Sequence, residues 1–162
     1  MQGNTISKAN EALIQEYLEI ATVTDDMDRF SRLIADDCVW IMMPTGYAFK
    51  GFEQVSALAK TAGGTRAHDE EFRVKILNWL TDGEHFCVEY HHGAIIKRLR
   101  IKGTINICLV CHMREGKFDR IHEYVHAHGV FFKLVMNFGL RVLPLLVNRK
   151  VSKARQRAEN AA

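Results

Sequence analysis

Residues 71–99, EFRVKILNWLTDGEHFCVEYHHGAIIKRL, mark the point at which this 162-residue sequence changes its period. Before Glu71, apolar side chains recur at helical spacing. From Glu71 onward they alternate with polar ones, which is typical of strands. Asp82-Gly83 divides the stretch with a dipeptide that favours a hairpin turn. Helices that come first and strands that follow predict an α+β domain.

Apolar spacing before this point predicts three helices, over residues 7–22, 24–37 and 52–64. Ser7 can cap the first helix, and Thr24 or Asp25 can cap the second. Residues 38–43, CVWIMM, are a short apolar run that a proline ends, so they predict a strand between the second and third helices.

Two further strands are predicted downstream, at residues 104–113 and 117–127. Lys102-Gly103 and Glu115-Gly116 are the expected reversals between strands. Long strands joined by short turns predict an antiparallel meander. Helices that bury their apolar stripes on one face of such a curved sheet would leave a cone-shaped cavity between the layers.

The C-terminal residues 129–162 are predicted to form a segment separate from the α+β domain of residues 1–128. Lys133, Asn137 and Arg141 recur every four residues in an otherwise apolar run. This stripe predicts an amphipathic helix, because a spanning helix should not carry two charges on one face. The basic run 149–157, RKVSKARQR, follows it. The pattern leaves three roles open: a cover for the pocket, a contact with a partner subunit, or a peripheral contact with an anionic membrane.

Composition sets outer limits on function. Hydrophobic residues make up 48% and charged residues 25% of the chain, and the net charge is +3, too small to indicate nucleic-acid binding. The N-terminus lacks the apolar segment of a signal peptide, so a cytoplasmic setting with free thiols is expected. Cys108 and Cys111 have C-x-x-C spacing, but on a strand this spacing puts the thiols on opposite faces, which disfavours a metal site.

Two segments carry a family resemblance: residues 26–55, DMDRFSRLIADDCVWIMMPTGYAFKGFEQV, and residues 116–125, GKFDRIHEYV. With the order of elements, they make residues 8–128 resemble the nuclear transport factor 2-like superfamily. That superfamily includes SnoaL-like polyketide cyclases, ketosteroid isomerases, limonene epoxide hydrolases and scytalone dehydratases. The resemblance implies a cone-shaped curved sheet, three N-terminal helices over a pocket, an apolar small-molecule ligand and a homodimer formed through the convex face of the sheet.

The resemblance implies that the cavity acid of the epoxide hydrolases and cyclases corresponds to Glu123. It also directs Tyr90 and His92 into the cavity and brings Tyr17 close to the oxyanion-hole tyrosine of the isomerases. An imidazole that titrates near neutrality and a buried carboxylate suit proton abstraction beside a carbonyl. We therefore expect His92 and Glu123 to act as an acid–base pair, with Tyr17 and Tyr90 donating hydrogen bonds to a developing oxyanion.

The expected pocket wall consists of six further residues: Trp40, Met42, Val88, Asn106, Cys108 and His112. Trp40 and Met42 occupy the positions where an epoxide hydrolase holds its water with a tyrosine and an asparagine, and neither can replace them. Met43 falls near the catalytic aspartate of the isomerases. These departures disfavour both activities. The sequence therefore predicts an isomerase, cyclase or dehydratase without metal or organic cofactor, or else a non-catalytic ligand-binding or dimerisation module.

Overall fold

The computed structural model describes residues 7–24, 26–63, 74–96 and 101–160. Its helices are α1 (Lys8–Glu19), which continues into a π-helical turn (Ile20–Thr24), then α2 (Met27–Arg32), α3 (Gly51–Gly63) and α4 (Val130–Glu159). Its strands are β1 (Ile34–Met42), β2 (Tyr47–Lys50), β3 (Lys75–Thr81), β4 (His85–Ile96), β5 (Ile101–Arg114) and β6 (Lys117–Ala127). The predicted α+β class is confirmed.

The six strands form one mixed, curved and unclosed sheet in the order β2-β1-β6-β5-β4-β3. Strands β3 to β6 form the predicted antiparallel meander, while β1 pairs parallel to β6. One face of the sheet is concave and buries its side chains, with those of the helices, in a single apolar core. The other face is convex.

Capping residues in the sequence mark where the first two helices begin. Ser7 caps α1, with its hydroxyl accepting from the Asn10 amide at 3.1 Å. The cap of α2 was predicted wrongly: Asp26 accepts from the amides of Asp28 and Arg29 at 3.0 and 2.9 Å. The second helix also ends earlier than predicted. β1 already begins at Ile34, because its apolar side chains are needed in the core.

The predicted turn at Lys102-Gly103 is also wrong. Both residues lie within β5, where they pair with Ile95 and Ala94 of β4. The predicted turns at Asp82-Gly83 and Glu115-Gly116 are confirmed. In the second of these, both residues have positive φ angles, of 53° and 74°. Glu71, where the sequence predicts that the strands of the meander begin, lies outside the described residues.

A β-bulge at Asp119 changes the pleat at the start of β6. Met113 pairs with Phe118 and His112 pairs with Arg120, so Asp119 is the extra residue. Phe118 therefore points into the core and is fully buried, whereas strict alternation would place it on the same face as His122. Beyond the bulge, alternation from Ile121 to Ala127 follows the prediction.

Helix α4 runs without interruption through Pro144. Its inner side, with Leu140, Pro144 and Val147 buried, packs on α3 and β6. Polar contacts also secure the helix: Asn148 donates to the Tyr47 hydroxyl at 3.3 Å, and Lys150 donates to Thr61 Oγ1 at 2.9 Å. Within the described part of the chain, no helix has the length and apolar character needed to cross a membrane.

Candidate active site

A buried carboxylate lies on the concave face, at Glu123 of β6. The Trp40 indole Nε1 donates a hydrogen bond of 2.9 Å to Glu123 Oε2. Parallel pairing of β1 with β6 sets this contact, because Trp40 is opposite Ile121 and Met42 is opposite Glu123. Antiparallel pairing adds Leu109 on the other side. Glu123 is 9% exposed, so its carboxylate is held in an apolar wall by a donor that an anion favours.

His92 lies on the same face, towards the far end of β4. Its Nδ1 is 2.7 Å from the Gly93 carbonyl oxygen. A carbonyl oxygen only accepts, so Nδ1 carries the hydrogen and Nε2 is the basic nitrogen of the neutral ring. Tyr90 stacks on the imidazole at 6.0 Å between ring centroids. This arrangement fixes both the tautomer and the plane of the ring, and both are needed for directed proton transfer.

The sheet register puts Glu123 and His92 on one face but not side by side. Glu123 is level with Leu109 and Val88, whereas His92 is level with Ile105 and lies four residues farther along β4. In an unbent sheet this offset corresponds to roughly 16 Å between the two Cα atoms. The register therefore separates the two groups along and across the strands of one face.

Tyr17 lies on α1 above the sheet, in an aromatic cluster. Its ring makes edge-to-face contacts with Phe30, Phe86 and Phe118 at centroid distances of 6.0, 5.7 and 5.7 Å. The residue is buried, as the apolar stripe of α1 requires. The cluster anchors α1 to strands β4 and β6.

Of the six predicted wall residues, Trp40, Met42 and Val88 are buried on the concave face. The other three lie on the convex face instead. Asn106, Cys108 and His112 pair with His126, Tyr124 and Arg120, which are convex-face residues of β6. The inward residues of β5 are instead Ile105, Ile107, Leu109 and Cys111, because burying this apolar set is worth far more than burying the half-polar one.

Several imidazoles and two of the thiols lie on the convex face. Cys87 and Cys108 approach each other at 3.8 Å between sulfurs, on neighbouring strands. His112 Nδ1 is 2.6 Å from Asp119 Oδ1, and the residue lines a surface cleft of about 420 Å³ near the turn ends of the sheet. The predicted separation of Cys108 and Cys111 is confirmed, because Cys111 is buried on the concave side. Among the described residues, no cluster of three metal-ligating side chains occurs.

Two buried polar roles were missed from the sequence. Trp40 was interpreted only as pocket wall, although a buried indole N–H needs an acceptor and Glu123 was the inward carboxylate of the neighbouring strand. Asn10 is buried in α1, where its side chain donates to the Gly83 carbonyl at 2.8 Å and accepts from the Gly116 amide at 3.1 Å. An asparagine that joins two predicted turn glycines gives no periodic signal.

Comparison with known proteins agrees with this fold. Residues 14–121 match the model of the SnoaL-like domain. The chain is similar in structure to a steroid delta-isomerase from Pseudomonas aeruginosa, with 13% identity, a TM-score of 0.63 and coverage of 93% of this chain and 97% of that one. It is similar to a putative SnoaL-like polyketide cyclase from Jannaschia sp. CCS1, with 11% identity, a TM-score of 0.61 and coverage of 76% and 91%.

An LEH-like epoxide hydrolase from M. tuberculosis shares 19% identity, with a TM-score of 0.58 and coverage of 86% of this chain and 97% of that one. Among curated proteins, no sequence matches this chain. At these identities, the structural likeness establishes a shared fold, on which unrelated reactions occur, and the chemistry has to be argued from the site.

Proposed function

The chain belongs to the SnoaL-like domain family, and on that premise we propose that it is an acid–base enzyme of the isomerase, cyclase or dehydratase type. Its substrate would be an apolar ring compound held against the concave face. The observation that carries the proposal is the Glu123 carboxylate, buried among apolar side chains and oriented by the Trp40 indole. A carboxylate removed from water and fixed in direction is suited to take a proton from carbon.

The proposed step conserves all atoms of the substrate. Glu123 takes a proton from the carbon beside a carbonyl, and the released electron pair forms the carbon–carbon double bond of an enolate. Hydrogen bonds from Tyr90 and Tyr17 stabilise the charge on the oxygen. His92, in its imidazolium form, gives a proton to a second position of the ring, and the proton held by Glu123 returns to His92 through water after the product leaves. In a dehydratase variant of this step, the imidazolium protonates the leaving hydroxyl.

The separation of Glu123 from His92 supports this division of labour. Because the two groups lie two strands apart on one face, they act on two positions of one substrate instead of on each other. An apolar wall between them, with Val88 and Leu109, suits a ring that has few polar groups. Substrate size is thus set by the span between the carboxylate and the imidazole.

The test is deuterium exchange, which detects proton abstraction whatever the product is. The full chain is incubated in D₂O with a panel of cyclic ketones, and incorporation beside the carbonyl is measured by mass spectrometry. We expect Glu123→Gln to lower the exchange rate beside the carbonyl by about 10²-fold or more, whereas His92→Ala should lower incorporation at the second ring position. His91→Ala and Glu89→Gln are the matched controls, because both residues lie on the convex face of β4, the strand that carries His92. Both variants should keep the exchange rate of the wild-type chain.

Two outcomes contradict the proposal. Exchange that is equally fast in Glu123→Gln and in the wild-type chain excludes the carboxylate as the base. Absence of exchange for every ketone, with tight binding of 2-naphthol that both concave-face variants weaken, favours the second candidate: a non-catalytic binder of ring compounds. Specific structural contacts favour that candidate, since His92 is bonded to its own backbone segment and Tyr17 is packed among three phenyl rings.

The family expectation of a homodimer belongs to this proposal, with the convex face as the contact. Tyr124 and Val110 are exposed there, and His122 Nε2 is a buried nitrogen for which the described residues provide no hydrogen-bond partner. Light scattering should give twice the chain mass of 18.5 kDa, and Tyr124→Arg should return it to that mass. A wild-type monomer contradicts this assembly. The free thiols support a reducing, cytoplasmic setting.

A further inference from the structure

The outward side of α4 carries a row of apolar side chains over its first half, beside the exposed polar residues Lys133, Asn137 and Arg141. Val130, Leu134, Phe138 and Leu145, here called the apolar stripe, are between 68% and 91% exposed. Residues 130–146 extend over about 24 Å at helical rise, so the stripe is a long row and not a pocket. Its side chains recur at spacings that keep them on one side of the helix, opposite the buried Leu140 and Val147. Exposed rows of this kind mark interaction surfaces.

The same outward face becomes cationic towards the C-terminus. Arg149, Lys153 and Arg157, here called the cationic end, continue from Leu145 at four-residue steps, and all three are exposed. Two other cations of this segment are engaged within the molecule, Lys150 with Thr61 and Arg155 with Glu53. The cationic end thus consists of residues whose side chains project away from the body of the protein.

Charge is distributed unevenly between α4 and the rest of the chain. The helix contains seven of the 22 lysines and arginines but one of the 19 acidic residues, Glu159. The remaining chain has a net charge of −3, although the whole carries +3. A row of aliphatic and phenyl groups that ends in cations, with no carboxylate before the last residue of the helix, is complementary to an anionic lipid surface.

We propose that the outward face of α4 is the site at which the protein binds an anionic lipid bilayer. The helix lies along the interface, with the apolar stripe at the level of the acyl chains and the cationic end at the phosphate groups. Lipid fits better than a second copy, because the α4 of that copy would bring the same positive charge to the contact. This inference is independent of the proposed acid–base chemistry.

The test is sedimentation of the full chain with vesicles of phosphatidylcholine alone or with 30% phosphatidylserine. We expect binding to the anionic vesicles that weakens in 0.5 M NaCl. The stripe variant Leu134→Ser/Phe138→Ser/Leu145→Ser should reduce partitioning more than tenfold. The cationic-end variant Arg149→Gln/Lys153→Gln/Arg157→Gln should reduce it by roughly a hundredfold at low salt, since each cation near the surface contributes about one kcal/mol.

Matched controls carry the same chemical changes elsewhere. Leu77→Ser/Leu80→Ser alters exposed apolar residues of β3, and Lys8→Gln/Lys117→Gln/Arg120→Gln removes three exposed cations. Both should bind vesicles like the wild-type chain, and circular dichroism checks that every variant is folded. The proposal is overturned by a wild-type chain that ignores anionic vesicles at low salt, or by controls that lose as much binding. It is also overturned if the stripe variant lowers the molecular mass in solution while vesicle binding is unchanged, which would assign the stripe to a second copy.

Discussion

The two faces of strands β4 to β6 contain different chemistry. The concave face has one carboxylate and one imidazole, Glu123 and His92, in an apolar surround. The convex face has more polar and titratable groups, among them His91, His112 and the Cys87–Cys108 pair, yet there they are open to solvent or paired with one another. The capacity of a face for catalysis therefore depends more on the burial and orientation of its reactive side chains than on their number.

The most direct test of the difference between the two faces is to shorten one side chain on each face of β5. Leu109 is 2% exposed and its neighbour Val110 is 37% exposed. Leu109→Ala should lower the free energy of unfolding by about 2–5 kcal/mol, because it leaves a cavity in the core. Val110→Ala should change it by about 1 kcal/mol or less. Urea unfolding measures both, and equal losses would contradict the assignment of the two faces.

The hydrogen bond between Trp40 and Glu123 gives a second comparison within the concave face. Trp40→Phe removes the hydrogen-bond donor from a buried carboxylate. It should lower the free energy of unfolding by about 1.5–3 kcal/mol, apart from the effect of the smaller ring volume. In Trp40→Phe/Glu123→Leu the carboxylate is gone, so the combined loss should be smaller than the sum of the single losses. Strict additivity in urea unfolding would show that the indole contributes packing only.

The Asp82 carboxyl, in the turn between β3 and β4, should make the stability of the protein depend on pH. The backbone amides of His85 and Glu84 hold the pKa of the Asp82 carboxyl below its ordinary value. A carboxyl with a lowered folded pKa stabilises the protein above its unfolded pKa, near pH 4, and loses that contribution as the pH falls through the folded value. Asp82→Asn should therefore show a smaller drop in the urea midpoint between pH 6 and pH 3 than the wild-type chain. An identical drop contradicts this prediction.

Thiol labelling compares buried cysteines with cysteines of the convex face, and it perturbs the protein least. Burial raises the pKa of Cys38 to about 12 and that of Cys111 well above its ordinary value. Burial also raises the pKa of Cys108, to about 11, but this thiol and Cys87 lie on the half-open convex face. At pH 8, Ellman's reagent should label Cys87 and Cys108 slowly, and the other two thiols only after unfolding. Cys87→Ser/Cys108→Ser should therefore show no labelling in the folded state.

Periodicity in the sequence was enough to predict the α+β class and the β6 bounds, and the family resemblance added the inward position of Glu123. It failed where two signals competed. On β5 the polar and thiol residues Asn106, Cys108 and His112 were assigned to the pocket wall, whereas the apolar set Ile105, Ile107 and Leu109 faces inward. At Asp119, one extra residue reversed the pleat locally, which alternation cannot reveal.

The candidate site was less predictable than the fold, because its geometry depends on register between distant segments. The family resemblance together with alternation could place His92 and Glu123 on one face, but only strand pairing gives the offset between them. Similarly, the pairing of Trp40 with Glu123 depends on a parallel contact between β1 and β6, which are 83 residues apart at that hydrogen bond. Short-range patterns contain no record of such a contact.

The bond from the Trp40 indole to Glu123 also gives the protein an internal optical reporter. The chain has two tryptophans, and the other, Trp79, is 43% exposed on β3. In a Trp79→Phe background, all indole emission would come from the ring that touches the carboxylate. Ligand entry, protonation of Glu123 or loss of the bond could then each be followed as a change in fluorescence wavelength or lifetime, in real time and without an added label.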